Sequence, residues 1–117
     1  MTKAHNYKEA LGKLPESVRP QRDTPTVKIF TPDGPATWYL YEYNKTEETA
    51  FGLCDLGFRM PELGYVYIPE LAAVRSKTLH LPPEVDLHWD GTLEDAYKAL
   101  DRCAPNWLPR AEGEDQQ

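Results

Sequence analysis

Between Val27 and Ile68 apolar and polar residues alternate with a period of two, interrupted by TPDGP, NKTEET and RMPEL, which predicts antiparallel strands joined by turns. The first strand runs from Val27 to Thr31, with Val27 and Ile29 on one face and Lys28 and Phe30 on the other. Ala36 to Asn44 forms the second. There Trp38 and Leu40 point one way and Tyr39, Tyr41 and Tyr43 the other, the pattern of a central strand with one face covered and one half wet. The third runs from Thr49 to Phe58 and contains Gly52 and Gly57, residues that mark a bulge or a close backbone approach. Leu63 to Ile68 is the fourth, with Leu63, Tyr65 and Tyr67 alternating against Val66 and Ile68.

Helical spacing appears on both sides of this block. Tyr7, Leu11 and Leu14 share one face of a short helix that stops at Pro15, and the three prolines of PESVRPQRDTP favour an extended connector over the surface. Pro69 suits the first turn of a helix with Glu70 at its positive end, and Leu71 and Val74 would cover the sheet. Val85 to Trp89 alternates like a short edge strand. Thr92 and Asp95 nearly spell a capping box, which starts a helix running to about Cys103 with Leu93, Ala96, Tyr97 and Leu100 buried. Trp107 pins the segment after it, and AEGEDQQ is expected to be disordered. The expected fold is α+β: a meander sheet of four or five antiparallel strands with two or three helices on one face. Residues 1–26 form a basic arm and linker, 27–104 the domain and 105–117 a tail.

Length and charge narrow the function classes. A chain of 117 residues supports one core. The net charge of −6 is unevenly spread: residues 1–30 hold six bases and three acids, while 31–70 sum to −5 and 71–117 to −4. Duplex binding by such a body is disfavoured, because phosphate recognition needs a basic face. No signal peptide or apolar span is evident, so a cytoplasmic location is expected. Cys54 and Cys103 stand apart from any zinc-ligand spacing and are expected to be reduced, buried and inert. No GxSxG, P-loop, HExxH or dinucleotide glycine pattern is present, and no cofactor is expected.

The segments VKIFTPDGPATWYLYEY, AFGLCDLGFRMPELGYVYIPELAAVR and LPPEVDLHWDGTLEDAY resemble, in order and spacing, the domain of unknown function 2958 family. The most specific piece is PELGY at Pro61 to Tyr65, followed by Pro69, Glu70 and Leu71. The resemblance spans Val27 to Tyr97 and implies a small bacterial protein of plasmids and other mobile elements. It transfers no activity. The N-terminus and the PNWLP segment depart from the family pattern, so partner contacts made there are this chain's own.

Three constellations could carry function. Asp86, His88 and Asp90 would share one face of an extended strand, within reach of a divalent ion, with Asp55 or Glu62 completing a site for phosphodiester hydrolysis. Against that, an edge strand ordinarily turns its polar residues to water. Glu62 in the PELGY turn is the second, against a turn acid that accepts backbone hydrogen bonds. Third is the tyrosine ladder of Tyr39, Tyr41 and Tyr43, with Tyr65 and Tyr67, which offers amphipathic contact area unless helices cover it. The functional expectation is a non-enzymatic interaction protein: an acidic anti-defence inhibitor, of anti-CRISPR or antirestriction type, that blocks the nucleic-acid site of a host protein complex. Its contact residues would be Asp33, Glu42, Glu47, Glu48, Asp55 and Glu62, with Tyr39, Tyr41 and Tyr43 as anchors. A small metal-dependent nuclease and an accessory protein of plasmid maintenance are the alternatives.

Overall fold

The computed structural model describes residues 4–58 and 60–110, with side chains from Tyr7 onward. The strands are β1 (Val27–Phe30), β2 (Thr37–Asn44), β3 (Thr49–Asp55), β4 (Glu62–Tyr67) and β5 (Glu84–Val85). Helices α1 (Ala4–Leu11), α2 (Ile68–Ala73) and α3 (Leu93–Ala99) complete the fold. The sheet order is β4-β3-β2-β1-β5, all antiparallel, so the first four strands form the expected meander and the class is α+β. The TPDGP turn closes as its residues suggest: the Gly34 amide donates to the Thr31 carbonyl at 3.2 Å and the Ala36 amide to Thr31 Oγ1 at 3.0 Å.

One irregularity decides how the sheet is covered. Leu40 pairs with Gly52 but Glu42 pairs with Phe51, so Tyr41 is an extra residue on β2. An inserted residue reverses the alternation beyond it. Tyr39 and Tyr41 therefore stay on the face of Leu53, while Tyr43 crosses to the face of Trp38, Leu40 and Ala50. The three tyrosines do not form one ladder, and all three are buried.

Both faces of the sheet are covered, not one. Tyr7 and Leu11 of α1 pack with Leu71 and Ala72 of α2 over Ile29, Trp38, Leu40 and Tyr43. On the opposite face Leu93, Ala96 and Tyr97 of α3, with Leu108, cover Tyr39, Tyr41 and Leu53. The reason is in β2 and β3, which are apolar on both sides and would otherwise expose one of them.

The flanking segments belong to the body of the fold. The Tyr7 hydroxyl donates to the Pro83 carbonyl, the Tyr43 amide to the Pro15 carbonyl at 2.9 Å, and the Arg22 amide to the Pro109 carbonyl at 2.8 Å. Residues 7–26, expected as an arm and linker, are held along the body of the fold by these bonds. The expected disorder of residues 111–117 lies outside the described residues.

Helix α3 starts where its residues predict. Thr92 Oγ1 accepts the Asp95 amide at 3.2 Å and Asp95 Oδ2 accepts the Thr92 amide at 2.9 Å, and these bonds hold the Asp95 carboxyl below its ordinary range. It ends earlier than expected. Asp101 adopts a left-handed φ of 61°, with the Arg102 amide donating to Tyr97 and the Asp101 amide to Lys98, the bond pattern that closes a helix C-terminus. Trp107 does not pin the segment beyond it. Its ring is exposed and the neighbouring Leu108 takes the buried position.

Candidate protein-binding surface

The residues proposed from sequence as contacts are largely occupied by the fold. Asp33 Oδ2 accepts the Ser76 hydroxyl at 2.7 Å and the Leu79 amide at 2.9 Å, tying the first turn to the loop after α2. Glu42 Oε2 accepts the Val18 amide at 3.0 Å, Glu48 pairs with Lys8 at 2.6 Å, and buried Asp55 accepts the Gly57 amide at 2.8 Å. Glu47 and Glu62 are the exposed members of the set. Tyr39, Tyr41 and Tyr43 are buried and cannot anchor a partner, and burial pushes the titration of all three phenols up.

Asp86, His88 and Asp90 do not share a face. β5 ends at Val85, and the Asp86 carboxylate accepts the His88 amide at 2.9 Å while its carbonyl accepts the Trp89 amide at 3.2 Å, so the segment is a turn. The alternation expected for Val85 to Trp89 fails with it: Leu87 is 84% exposed, whereas Trp89 packs 5.0 Å from Tyr39 and donates Nε1–H to Thr26. Asp86 also pairs with Lys28 at 3.5 Å. Among the described residues no group of three or more His, Cys, Asp or Glu is placed to hold a metal ion.

The two thiols differ. Cys54 is half-buried in β3 and burial pushes its thiol up to about 11, whereas Cys103, expected to be buried, lies exposed beyond α3. At pH 8 the Cys54 sulfur is therefore held almost entirely as the unreactive thiol. Titration with a thiol-exchange reagent at pH 8 is expected to show one fast and one slow cysteine in the native protein, with Cys103→Ser removing the fast phase. Two equally fast thiols would refute the burial of Cys54.

What the fold leaves open lies along β4. β4 pairs with β3 on one side only, so it is a sheet edge. The other edge, β5, is two residues long and preceded by Pro82 and Pro83, a protected end. β4 spans six residues, ELGYVY, with no proline or lysine and Glu62 as its one charge. Tyr65 is 77% exposed, and Leu56, Phe58 and Met60 from the β3–β4 connection stand beside it, also exposed.

The two faces of this edge differ in chemistry. Gly64 and Val66 pair with Gly52 and Ala50 and lie on the α1–α2 side. A Cβ at Gly64 would meet nothing within 4 Å, and a cleft of about 390 Å³ opens there among Cys54, Leu56, Phe58 and Met60, with Glu62 as its one charged residue. Tyr65, on the α3 side, sets its ring 4.7 Å from Phe51, and together they wall a cleft of about 450 Å³ that holds Glu16, Glu42 and Glu47. A further cleft of about 580 Å³ runs from Leu63 under Met60 and Trp107. Sequence reasoning singled out Tyr65, Tyr67 and Glu62 but missed Phe58, Met60 and Gly64. The signal for Phe58 and Met60 was available in the apolar residues of a connection that turn chemistry alone would have made polar.

The family model described as Protein of unknown function (DUF2958) matches residues 5–99, and the chain belongs to that family. Comparison with curated proteins and with solved structures returned no match.

Proposed function

We propose that this DUF2958 family member is a non-enzymatic interaction protein that recognises another protein along the β4 edge. The observation that carries the reading is the contrast between the two sheet edges: β5 is short and proline-guarded, while β4 is long, unguarded and ringed by exposed Leu56, Phe58, Met60 and Tyr65. Soluble proteins ordinarily blunt a free edge, and a contiguous exposed apolar patch marks an interaction site. In a more specific form the protein is an acidic anti-defence inhibitor that enters a basic nucleic-acid groove of a host complex. Support for that form comes from the net charge of −6 and the exposed Glu47 and Glu62. Burial of Tyr39, Tyr41 and Tyr43 moves its apolar anchors from β2 to β4. The nuclease alternative loses the shared face of Asp86, His88 and Asp90 on which it rested.

The test is a tagged pull-down from native host lysate, comparing the natural chain with a Phe58→Asp/Tyr65→Asp variant. Exposed aromatic anchors of an interface each carry about 2 kcal/mol or more, so recovery of the partner is expected to fall at least about thirtyfold. An unchanged set of co-purified proteins would overturn the assignment of β4.

A further inference from the structure

We propose that the occupant of the β4 edge is an extended segment of the partner protein, added as a sixth strand, apolar on one side and bearing Lys or Arg on the other. This rests on β4 being the recognition surface, and it specifies the mode of binding and the chemistry of what binds.

An exposed edge presents a row of unpaired amides and carbonyls that another strand can satisfy, and that pairing gives affinity without sequence demands. Specificity then comes from alternate side chains, which an added strand sends to opposite faces. On the α1–α2 side those residues would overlie Gly64, where no Cβ stands in the way and where Leu56, Phe58 and Met60 line the cleft. Apart from Glu62 that lining is apolar, so beside Gly64 it takes apolar groups. On the α3 side they would pass Tyr65 and meet Glu16, Glu42 and Glu47, with Phe51 and Tyr65 as an aromatic wall. A Lys or Arg satisfies both features of that side, by charge and by stacking on the rings.

The same charges argue against a second copy of this chain. Antiparallel pairing of β4 with itself needs a two-fold axis normal to the sheet, which keeps like faces together. Two clefts carrying Glu16, Glu42 and Glu47 would then share one face, in chains that each carry −6 overall. A basic strand removes that repulsion.

The experiment selects a random-peptide display library against the full chain, then measures binding of a synthesised selected peptide by fluorescence anisotropy. Two variants are compared, with circular dichroism confirming that each folds. Gly64→Leu puts a side chain into the apolar cleft from a position whose Cβ meets nothing within 4 Å, and Glu16→Lys/Glu47→Lys reverses the charge of the other. Enriched peptides are expected to alternate apolar residues with Lys or Arg, and each variant to weaken binding by about tenfold or more, the charge reversal also flattening the salt dependence. Failure to enrich any peptide, enrichment of acidic or uncharged ones, or indifference to both variants would overturn the proposal. A dimer in light scattering that Gly64→Leu dissolves would give the edge to a second copy and overturn it as well. Loss of the pulled-down partner with Phe58→Asp/Tyr65→Asp but with neither of these variants would remove strand addition and leave β4 recognition standing.

Discussion

Replacing Gly52 with alanine is expected to cost about 3 kcal/mol or more and to lower the melting temperature by about 10 °C or more. A Cβ at Gly52 would lie 2.6 Å from the Leu40 Cα and nearer still to the Tyr39 carbonyl oxygen. Both are backbone atoms of the strand that carries the bulge, and neither can swing aside as a side chain would. The only relief is to separate β2 from β3 where the extra residue Tyr41 lies between the Leu40–Gly52 and Glu42–Phe51 pairs. Its direct partner across the sheet provides the control. Gly64 pairs with Gly52, yet a Cβ there meets nothing within 4 Å, so Gly64→Ala is expected to be neutral or to stabilise by about 0.5 kcal/mol. Thermal and urea unfolding of the two variants separate close packing from strand propensity. If Gly52→Ala melted within about 2 °C of the natural chain, the tight approach of β2 and β3 would be refuted.

Truncating Tyr7 to alanine is expected to cost about 3–5 kcal/mol, comparable to the loss of any large buried aromatic. Tyr7 is fully buried between the sheet and α2, and its hydroxyl serves the Pro83 carbonyl beside β5. Tyr7→Phe keeps the ring and loses only that bond, at about 1–2 kcal/mol. The phenol also writes itself into the pH dependence. Burial pushes Tyr7 up to about 12, with Arg75 opposing and Glu84 reinforcing, against 10.0 for the free phenol. The folded state therefore holds a proton that the unfolded chain releases near pH 10. Stability from this group is complete below pH 10 and is lost as the pH climbs towards 12. Urea titrations at pH 8, 10 and 11 are expected to show an alkaline decline that is shallower in Tyr7→Phe. Equal slopes would show that Tyr7 does not titrate out of a buried site.

How far the sequence alone could reach depends on the range of the interaction. The meander, the capping box at Thr92 and the TPDGP turn are written in neighbouring residues, and each was legible. Gly52 was legible as a close approach, but the bulge it accommodates lies on the facing strand, where nothing local distinguishes Tyr41 from Tyr39. Missing it placed Tyr43 on the wrong face and joined three buried rings into a ladder. The acids misled for a related reason. Asp33, Glu42 and Asp55 read as surface charge, yet each accepts an amide at a turn or from a crossing segment, 46, 24 and 2 residues away. The gap in strand order was β5: only the assembled sheet puts it beside β1, which leaves β4 an edge and PELGY an exposed one.

The flanks that close this fold also set when it can close. A ribosome releases the meander first, and the side of it formed by Tyr39, Tyr41 and Leu53 has no cover until Tyr97 and Leu108 have been added. At ordinary elongation rates the stretch from Ile68 to Leu108 takes about 2–8 s. Through that interval the nascent chain presents an uncovered apolar sheet face, and fragments that stop before α3 would present it permanently. That face closes only once α3 and Leu108 have joined it, so the last residues to be added decide whether the sheet is buried.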